Sequence, residues 1–484
     1  MRRLLALILF LALALAQVPP TWLGLRLEEK DGALVYTGAG LRFYYLPGVG
    51  WGPPLSPDLP PPGPKGALSY AVLKAVGWAR VPPARARLAE YPERVRLVLD
   101  LPGDALLPTR AIREGPFEVF LPYFVENPPD KPYLRYRYRP EGTTITYLPP
   151  KDRLPFLHAF YLDAPPRYVF DLYRREPPTS RTLRKGFRLK TRYLFAPYPI
   201  RVTVLEADPG AYRLKTVGSP GVRASLKEMA PLALGLINGG YFDPKTATPI
   251  GLWVKRGVTL SLPYGRHALL WETPPPFAAK PRFKAFVVIG GRRYRVGLNA
   301  TPGRVTAYTV PPVVGRLGEE VLLFKAGRLW RRAPAPAERP AEAWAIAYPA
   351  GLAPFAHLPL GTPARLAVEL FPPVSEALEA GPLLVDRGRL AFDPAADAFD
   401  PKAIQLTKVT YQAAVAWTRE GGLWFLVSEK TTAKKLAQGL AALPEVWGAL
   451  RLDSGGSAQL WVEGRLVYPT RARTVVNGLA LYPR

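Results

Sequence analysis

Two glycine-pair motifs, far apart in the chain, constrain its fold most strongly. The first is Asn238–Asp243 and the second is Asp453–Ser457. Each follows a short apolar run, Leu234–Ile237 in one case and Ala449–Leu452 in the other, which we predict to be a buried strand that ends at the motif. Each motif joins a carboxylate to a Gly-Gly pair, and glycine lets the backbone approach a ligand closely. If the two strand ends converge, both motifs border one site.

Asparagine is scarce in this chain. It occurs at four positions, 127, 238, 299 and 477, so Asn238 is a specific choice rather than surface filler. The alternative is that both motifs are ordinary turns, because Asn-Gly and Asp-Ser-Gly are common turn formers. Residue spacing alone leaves both interpretations open.

The N-terminal residues have the pattern of a secretory signal. Arg2-Arg3 form a basic start, Leu4–Leu13 is apolar, and Ala14–Ala16 is a small-x-small cleavage site. The apolar stretch is shorter than the roughly 20 residues that span a membrane. We therefore predict a signal peptide at 1–16 and a secreted, periplasmic or cell-envelope location, with an uncleaved N-terminal anchor as the alternative.

The composition bears on stability and on partners. The 484 residues include no cysteine, so disulfides cannot stabilise the chain, whereas 58 prolines restrict its unfolded state. Two methionines and few amides complete a thermophile-like composition. A formal net charge of +27 attracts anionic partners such as phosphorylated glycans, envelope polysaccharide or nucleic acid. The basic residues are spread along the chain, which is more typical of a solvated surface than of a dedicated binding stripe, and no aromatic-and-basic motif indicates nucleic-acid binding.

The sequence pattern predicts several domains. A β segment with a Pro-rich linker covers 17–64, and a β-rich domain covers 65–175. Residues 176–200 are basic and contain proline, as a linker does, whereas 201–484 mixes predicted helices and strands. We therefore predict an α+β protein in which a β-rich N-terminal region precedes a mixed-sheet α+β domain.

The β-rich domain carries two notable patterns. Leu134–Arg139 alternates strictly between apolar side chains and three arginines, so the arginine face is either solvated or a surface that holds an anionic glycan. The phrases Val98–Leu101 and Val169–Leu172 each read as a strand ending in Asp-Leu. They resemble the small β-sandwich domains called AMIN, which occur on cell-envelope proteins.

Several kinds of chemistry find little support in the sequence. The three histidines, at 158, 267 and 357, share no ligand spacing for zinc. No Gly-x-Ser-x-Gly elbow, P-loop or dinucleotide fingerprint is present. We therefore expect no cofactor, although a Ca²⁺ site built from Asp and carbonyl oxygens stays open.

Carboxylate and amide chemistry remains. Asp243 and Asp453 are the two acids beside the glycine pairs, and paired carboxylates are the usual means of cutting glycosidic bonds. Asn238 is placed to hydrogen-bond a sugar hydroxyl or to hold an acid in position.

An ordered series of phrases over the last part of the chain, from about residue 200, resembles the phosphodiester glycosidase family, the uncovering-enzyme-like N-acetylglucosamine-1-phosphodiester alpha-N-acetylglucosaminidases. The family's Asn-Gly-Gly-aromatic-Phe phrase corresponds to Asn238–Phe242, and its Pro-x-Gly step to Pro249–Leu252. Its Gly-Pro phrase corresponds to Gly381–Gly388, and its Asn-Leu-Asp-Gly-Gly-Gly-Ser phrase, in part, to Arg451–Ser457. The ending Arg-x-Val-x-Asn corresponds to Arg473–Leu479.

The resemblance implies cleavage of a sugar-1-phosphodiester in envelope or exopolysaccharide glycans, which releases free sugar and a phosphomonoester. It implies catalytic roles for Asp453, Asp243 and Asn238. It implies substrate-binding roles for Gly239, Gly240, Gly455, Gly456, Ser457, Arg473 and Asn477.

This chain departs from the family pattern at two places. Tyr411-Gln412 stands where the family carries Arg-Thr, and that Arg would be a natural phosphate ligand. Arg451 and Ser454 stand where the family carries Asn and Gly. An alternative function is therefore a non-catalytic envelope protein that binds anionic polysaccharide, and a third is a periplasmic nucleic-acid binder.

Overall fold

The computed structural model describes residues 17–103, 117–196, 198–340, 342–371 and 373–484. The predicted signal peptide at 1–16 lies outside the described residues. The chain divides into two compact units, Met1–Pro177 and Pro178–Arg484. Strands dominate both units and the helices are few and short, so the protein is a β-rich α+β protein, as predicted.

The first unit contains one described α-helix, α1 (Tyr70–Ala75), and fourteen described strands. These strands are β1 Gln17–Val18, β2 Arg26–Lys30, β3 Ala33–Gly38, β4 Leu41–Leu46, β5 Gly50–Trp51, β6 Leu68–Ser69, β7 Pro83–Tyr91, β8 Arg94–Asp100, β9 Phe117–Leu121, β10 Phe124–Glu126, β11 Leu134–Arg139, β12 Gly142–Tyr147, β13 Leu154–Leu162 and β14 Arg167–Arg175.

The sheets of the first unit share one core. They have the orders β10-β7-β8-β14-β13, β11-β12-β9 and β2-β3-β4-β5, and β1 pairs with β6. Tyr36 of β3 and Leu97 of β8 belong to the same apolar cluster, so 17–64 and 65–175 are not separately packed. On β11 the burial alternates as predicted, with the three arginines exposed.

The second unit contains three α-helices and 27 strands in the described residues. The helices are α2 Leu226–Met229, α3 Ile404–Thr407 and α4 Ala433–Ala441. The strands are β15 Ser180–Arg184, β16 Phe187–Phe195, β17 Pro199–Ala207, β18 Tyr212–Gly218, β19 Gly235–Asn238, β20 Trp253–Lys255, β21 Val258–Ser261, β22 Ala268–Trp271, β23 Phe277–Ala279, β24 Arg282–Ile289, β25 Arg292–Leu298, β26 Thr306–Tyr308, β27 Val313–Val314, β28 Glu319–Lys325, β29 Arg328–Pro334, β30 Ala337–Glu338, β31 Trp344–Pro349, β32 Ala364–Phe371, β33 Glu376–Glu379, β34 Leu383–Asp386, β35 Arg389–Leu390, β36 Ala413–Trp417, β37 Leu423–Ser428, β38 Gly448–Arg451, β39 Leu460–Val462, β40 Arg465–Tyr468 and β41 Asn477–Pro483.

The segment 176–200, predicted to be a linker, instead contains β15, β16 and the start of β17. Its apolar residues are spaced among basic ones: Phe187 and Leu194 are buried, while Arg188 and Lys190 form ion pairs with Glu206 of the neighbouring strand. The basic composition therefore belongs to one face of a sheet rather than to a flexible connection.

A buried sheet organises the second unit. Its strand order is β15-β16-β17-β37-β36-β38-β34-β35. Every residue of β36 and β37 is buried, as their continuous apolar runs require. Helix α4 packs on one face of this sheet, and Thr432 caps the helix by accepting from Lys435 N at 3.4 Å.

Two five-stranded sheets pack against the opposite face through a common apolar cluster. One has the order β18-β41-β19-β39-β40 and contains the strand that leads to Asn238. The other has the order β21-β20-β33-β22-β23. A seven-stranded sheet, β29-β28-β31-β26-β25-β24-β32, lies between β23 and β33 in sequence and has its own core. This arrangement brings the ends of β19, β33 and β38 close together.

Candidate active site

The two glycine-pair motifs meet, as the sequence predicts. Asn238 ends β19, and its Nδ2 donates to the backbone oxygen of Asp453 at 2.6 Å. The backbone N–H of Asp453 donates to the Gly239 oxygen at 2.9 Å, and Asn238 Oδ1 accepts from Gln459 N at 3.1 Å. Because Asn238 is fully buried and bonds at both ends of its amide, it holds the two motifs together.

The Asp453 carboxylate lies at the centre of this junction. Its Oδ1 accepts from Ser454 N at 2.9 Å, and its Oδ2 lies 3.7 Å from Arg473 Nη2. Burial raises the pKa of Asp453, and the Ser457 hydroxyl and the cations Arg473 and Arg451 act in the opposite direction. The Asp453 side chain is 16% exposed and that of Arg473 is 52% exposed, so a ligand can reach both.

Arg473 is oriented by the second motif. Its Nε donates to Ser457 Oγ at 3.0 Å, and its Nη2 also bonds that hydroxyl. Its guanidinium lies 5.7 Å from the Phe242 ring centroid, so the first motif also contacts it. A Cβ on Gly456 would lie 3.5 Å from Arg473 Cδ, which is ordinary van der Waals contact, so Gly456 lies directly beside this side chain. The arrangement presents a cation beside a partly exposed carboxylate.

The glycines of the motifs serve packing as well as access. A Cβ on Gly239 would overlap Asn477 Oδ1, and a Cβ on Gly240 would overlap the backbone oxygen of Glu379. The N–H of Gly239 donates to the backbone oxygen of Asn477 at 3.0 Å, and that of Gly455 donates to the backbone oxygen of Tyr411 at 2.8 Å. These two N–H groups are therefore not free to hold phosphate, and the backbone of Asn477 pairs with the first motif.

Asp243 has the contacts of a turn residue. Its Oδ1 accepts from Lys245 N at 2.7 Å and Thr246 N at 3.4 Å, and its own N–H donates to the Thr248 oxygen at 2.8 Å. Each of these bonds closes the loop 243–248. The carboxylate acts as an Asx-turn acceptor in the loop that follows the first motif.

We expect Asp243→Asn to retain most of the activity, because an amide oxygen can still accept the two turn N–H groups, whereas Asp243→Ala should destabilise the loop. Turnover of a sugar-1-phosphodiester and the thermal midpoint of each variant are the measurements. If Asp243→Asn loses all turnover at an unchanged thermal midpoint, Asp243 is the second catalytic carboxylate that the family resemblance implies.

A buried guanidinium, which the sequence marked only as a departure from the family pattern, lies two residues before Asp453. Arg451 is 1% exposed. Its Nε donates to Gln412 Oε1 at 2.8 Å, and its Nη2 donates to the backbone oxygen of Gln405 at 2.7 Å. Its Nη1 bonds the Tyr241 hydroxyl. Gln412 is one of the residues that replace the family's Arg-Thr pair, so the departures at 412 and 451 contact each other. The joint departure from the family pattern at both positions was the one sequence signal that they contact each other.

Glu379 is a second buried residue that sequence reasoning missed. Its carboxylate accepts from the backbone N–H groups of Leu252 at 2.6 Å, Gly265 at 2.8 Å, Arg266 at 2.6 Å and Tyr264 at 2.9 Å. Burial raises the pKa of Glu379, and the backbone donors act in the opposite direction. This carboxylate holds the loop 264–266 against β33. The only sequence signal was an acid two residues before the Gly-Pro phrase, at the end of an apolar-rich segment.

The same loop positions a cation and an acid–imidazole pair. The Arg266 guanidinium is 8% exposed and lies 4.1 Å from the Phe399 ring centroid and 4.8 Å from that of Tyr241. His267 Nδ1 lies 2.6 Å from Asp397 Oδ1. The pKa of Asp397 lies below its ordinary value. Burial alone would raise it, but the hydrogen bond and charge of His267, together with the backbone donors, outweigh that effect.

No group of three or more His, Asp or Glu side chains in the described residues is arranged to hold a metal ion. Nor does this part of the chain contain a helix of the length and apolarity needed to cross a membrane.

Residues 349–482 match the family model for phosphodiester glycosidases, and the resemblance of the C-terminal part to that family is thereby confirmed. The family is one of hydrolases. The matched range contains Arg451, Asp453 and Arg473, while Asn238 and Asp243 lie outside it. No curated protein matches the chain.

Among solved structures, a hypothetical protein from Synechocystis is similar over 96% of this chain and 92% of its own, with 20% identity and a TM-score of 0.50. An exported protein from Burkholderia pseudomallei is similar over 59% and 74%, with 18% identity and a TM-score of 0.40. The catalytic domain of zebrafish N-acetylglucosamine-1-phosphodiester alpha-N-acetylglucosaminidase, auto-inhibited by its pro-peptide, is similar over 63% and 84%, with 14% identity and a TM-score of 0.33. The first similarity shows that another protein shares the fold.

Proposed function

We propose that this protein hydrolyses a sugar-1-phosphodiester linkage in envelope or exopolysaccharide glycans outside the cytoplasm. The observation that carries the proposal is the Asp453 carboxylate, which lies 3.7 Å from the half-exposed guanidinium of Arg473 within the range that matches the family. The predicted signal at 1–16 supports the location.

The reaction breaks the bond between the anomeric carbon and the ester oxygen. Arg473 binds the phosphate, which places the adjacent anomeric carbon beside Asp453. Asp453 takes a proton from the attacking water, whose oxygen remains on the sugar, and the phosphomonoester leaves with the bonding electrons. A phosphomonoester needs little protonation to leave, so one carboxylate is sufficient when Asp243 is engaged in its turn.

Burial suits Asp453 to this role. A carboxyl whose pKa is raised is a stronger base than an ordinary aspartate, while Arg473 keeps the charged form accessible. Ser457 orients Arg473 through its hydroxyl, and the charge of Arg451 favours the ionised form of Asp453.

The test is turnover of the methyl phosphodiester of N-acetylglucosamine 1-phosphate in water labelled with heavy oxygen. We expect free sugar and methyl phosphate, with the label in the sugar, because the bond to carbon is broken. Label in the phosphate would show a phosphodiesterase acting at phosphorus. An intact substrate at high protein concentration, for several sugars, would favour the non-catalytic binding protein.

A further inference from the structure

The second unit contains a large cleft apart from Asp453 and Arg473. It encloses about 1330 Å³ and lies between the sheet strands β24 and β25 on one side and the segments 263–267 and 395–398 on the other. Pockets for small molecules usually enclose about 300–1,000 Å³ and are mostly apolar. The size of this cleft therefore suits part of a polymer better than a single sugar.

Cations line the cleft. They are Lys280, Arg282, Lys284, Arg295 and Arg304. No Asp or Glu in the described residues belongs to the lining. The nearby acid Asp397 is engaged by His267 and by Leu383 N, and Glu369, which is opposite Lys284 in the sheet, pairs with Arg293. The positive charge of the lining is therefore uncompensated.

Strand register places part of this charge in a row. Arg282 and Lys284 lie two residues apart on β24, so they share a face and are separated by about 7 Å. Arg295 of β25 pairs with Phe286, the next residue on that face. Arg282, Arg295 and Arg304 have neither an ion pair nor a side-chain hydrogen bond to any described residue. Lys280 Nζ bonds the Ala396 oxygen and Lys284 lies 5.1 Å from the Phe371 ring centroid, so these two are already engaged.

The lining distinguishes between classes of polyanion. Single-stranded nucleic acids are bound on successive aromatic rings that stack on the bases. Phe283 is the one Phe, Tyr or Trp among the described residues of the lining, and it is partly buried. The rest of the wall is formed largely by Ala, Gly, Pro and Thr, which offers charge and shape but no stacking platform.

We propose that this cleft binds an acidic polysaccharide chain, through carboxylate or phosphodiester groups spaced along the polymer. The choice of a glycan also rests on the proposed function. Arg282, Arg295 and Arg304 supply the charge contacts, and the cleft holds a stretch of polymer while Asp453 and Arg473 act on a linkage.

The test uses the full chain and fluorescence anisotropy with three labelled probes: oligogalacturonate for carboxylates, oligomeric glycerol phosphate for phosphodiesters, and oligothymidylate of matched charge for nucleic acid. The cleft variant is Arg282→Gln, Arg295→Gln, Arg304→Gln. The control variant, Arg256→Gln, Arg387→Gln, Arg389→Gln, removes the same charge from three exposed positions of the second unit that lie outside the cleft lining.

We expect at least one acidic glycan probe to bind in a salt-sensitive manner, about tenfold more weakly to the cleft variant at low salt and nearly unchanged with the control. Neutral dextran should not compete. The single change Arg282→Gln should give a smaller loss in the same direction, which keeps the test valid if the triple variant folds poorly.

Equal losses in the cleft and control variants, or no binding by either glycan probe, would overturn the proposal. Tighter, cleft-dependent binding of oligothymidylate would assign the cleft to nucleic acid instead. Turnover of the small sugar phosphodiester is measured in parallel. Cleft-dependent binding without turnover contradicts the proposed function alone, and turnover without such binding contradicts the cleft proposal alone.

Discussion

Replacing Asp453 with Asn should lower kcat on a sugar-1-phosphodiester by about a thousandfold, because it removes the proton acceptor and the negative charge that faces the anomeric carbon. The amide oxygen can still accept from Ser454 N, so the motif should keep its shape. Burial disfavours the charged form of Asp453, as its raised pKa shows, so the variant should be at least as stable as the wild type. Initial rates and thermal midpoints measure both expectations.

The control is Asp386→Asn, which makes the same chemical change at an exposed aspartate on β34. It should leave kcat within about twofold of the wild type, because surface substitutions rarely disturb a distant site. Wild-type turnover by Asp453→Asn would remove Asp453 from the mechanism. Equal losses in both variants would indicate a general effect on folding or handling rather than on catalysis.

The convergence of the two motifs was predictable because it depends on short apolar runs. Leu234–Ile237 and Ala449–Leu452 have the pattern of buried strands, and strands buried on both faces have to end at the rim of a sheet. The residues that follow such strands therefore meet when the sheets pack. Arg473 was assigned to the same site only through the family resemblance, and the structure separates polar atoms of Asp453 and Arg473 by 3.7 Å.

The distinct role of Asp243 could not be predicted in the same way. Asp-Pro-Lys-Thr is compatible with a catalytic loop and with an Asx turn, and only the bonds to Lys245 N and Thr246 N distinguish them. The predicted linker over 176–200 illustrates a related limit. Arg188 and Lys190 form ion pairs with Glu206, so this basic segment is part of a sheet, and such pairing requires the neighbouring strand.

The buried contacts of Glu379 and Arg451 could not be predicted from the sequence, because their partners are distant along the chain. Glu379 accepts from a loop more than a hundred residues earlier, Arg266 N being 113 positions away. Arg451 occupies the place of a family Asn and bonds Gln412, which occupies part of the place of the family Arg-Thr pair. Each of these two replacements, taken alone, suggests that a binding or catalytic residue of the family has been lost. Together they keep the Arg451 guanidinium near Asp453. Its charge opposes the rise that burial causes in the pKa of that carboxyl.

Replacing Glu379 with Ala should lower the free energy of unfolding by about 3–5 kcal/mol, because each buried donor left without an acceptor costs about 1–3 kcal/mol before the loop relaxes. Four backbone N–H groups, those of Leu252, Tyr264, Gly265 and Arg266, would lose their acceptor in a site that water barely reaches. Urea unfolding of the full chain, followed by tryptophan fluorescence, measures the loss for the transition of the second unit.

The matched control is Glu369→Ala, which removes a partly exposed glutamate whose ion pair with Arg293 lies at the surface and should contribute at most about 1 kcal/mol. Glu379→Gln keeps one acceptor oxygen and should fall between the two, so it preserves the test if the alanine variant does not fold. Hydrogen exchange then adds a local readout: the amides of Leu252, Tyr264, Gly265 and Arg266 should exchange faster in Glu379→Gln than in the wild type. Unchanged exchange at these four amides, with unchanged stability, would show that the carboxylate does not hold the loop, and the position of Arg266 and His267 would then need another cause.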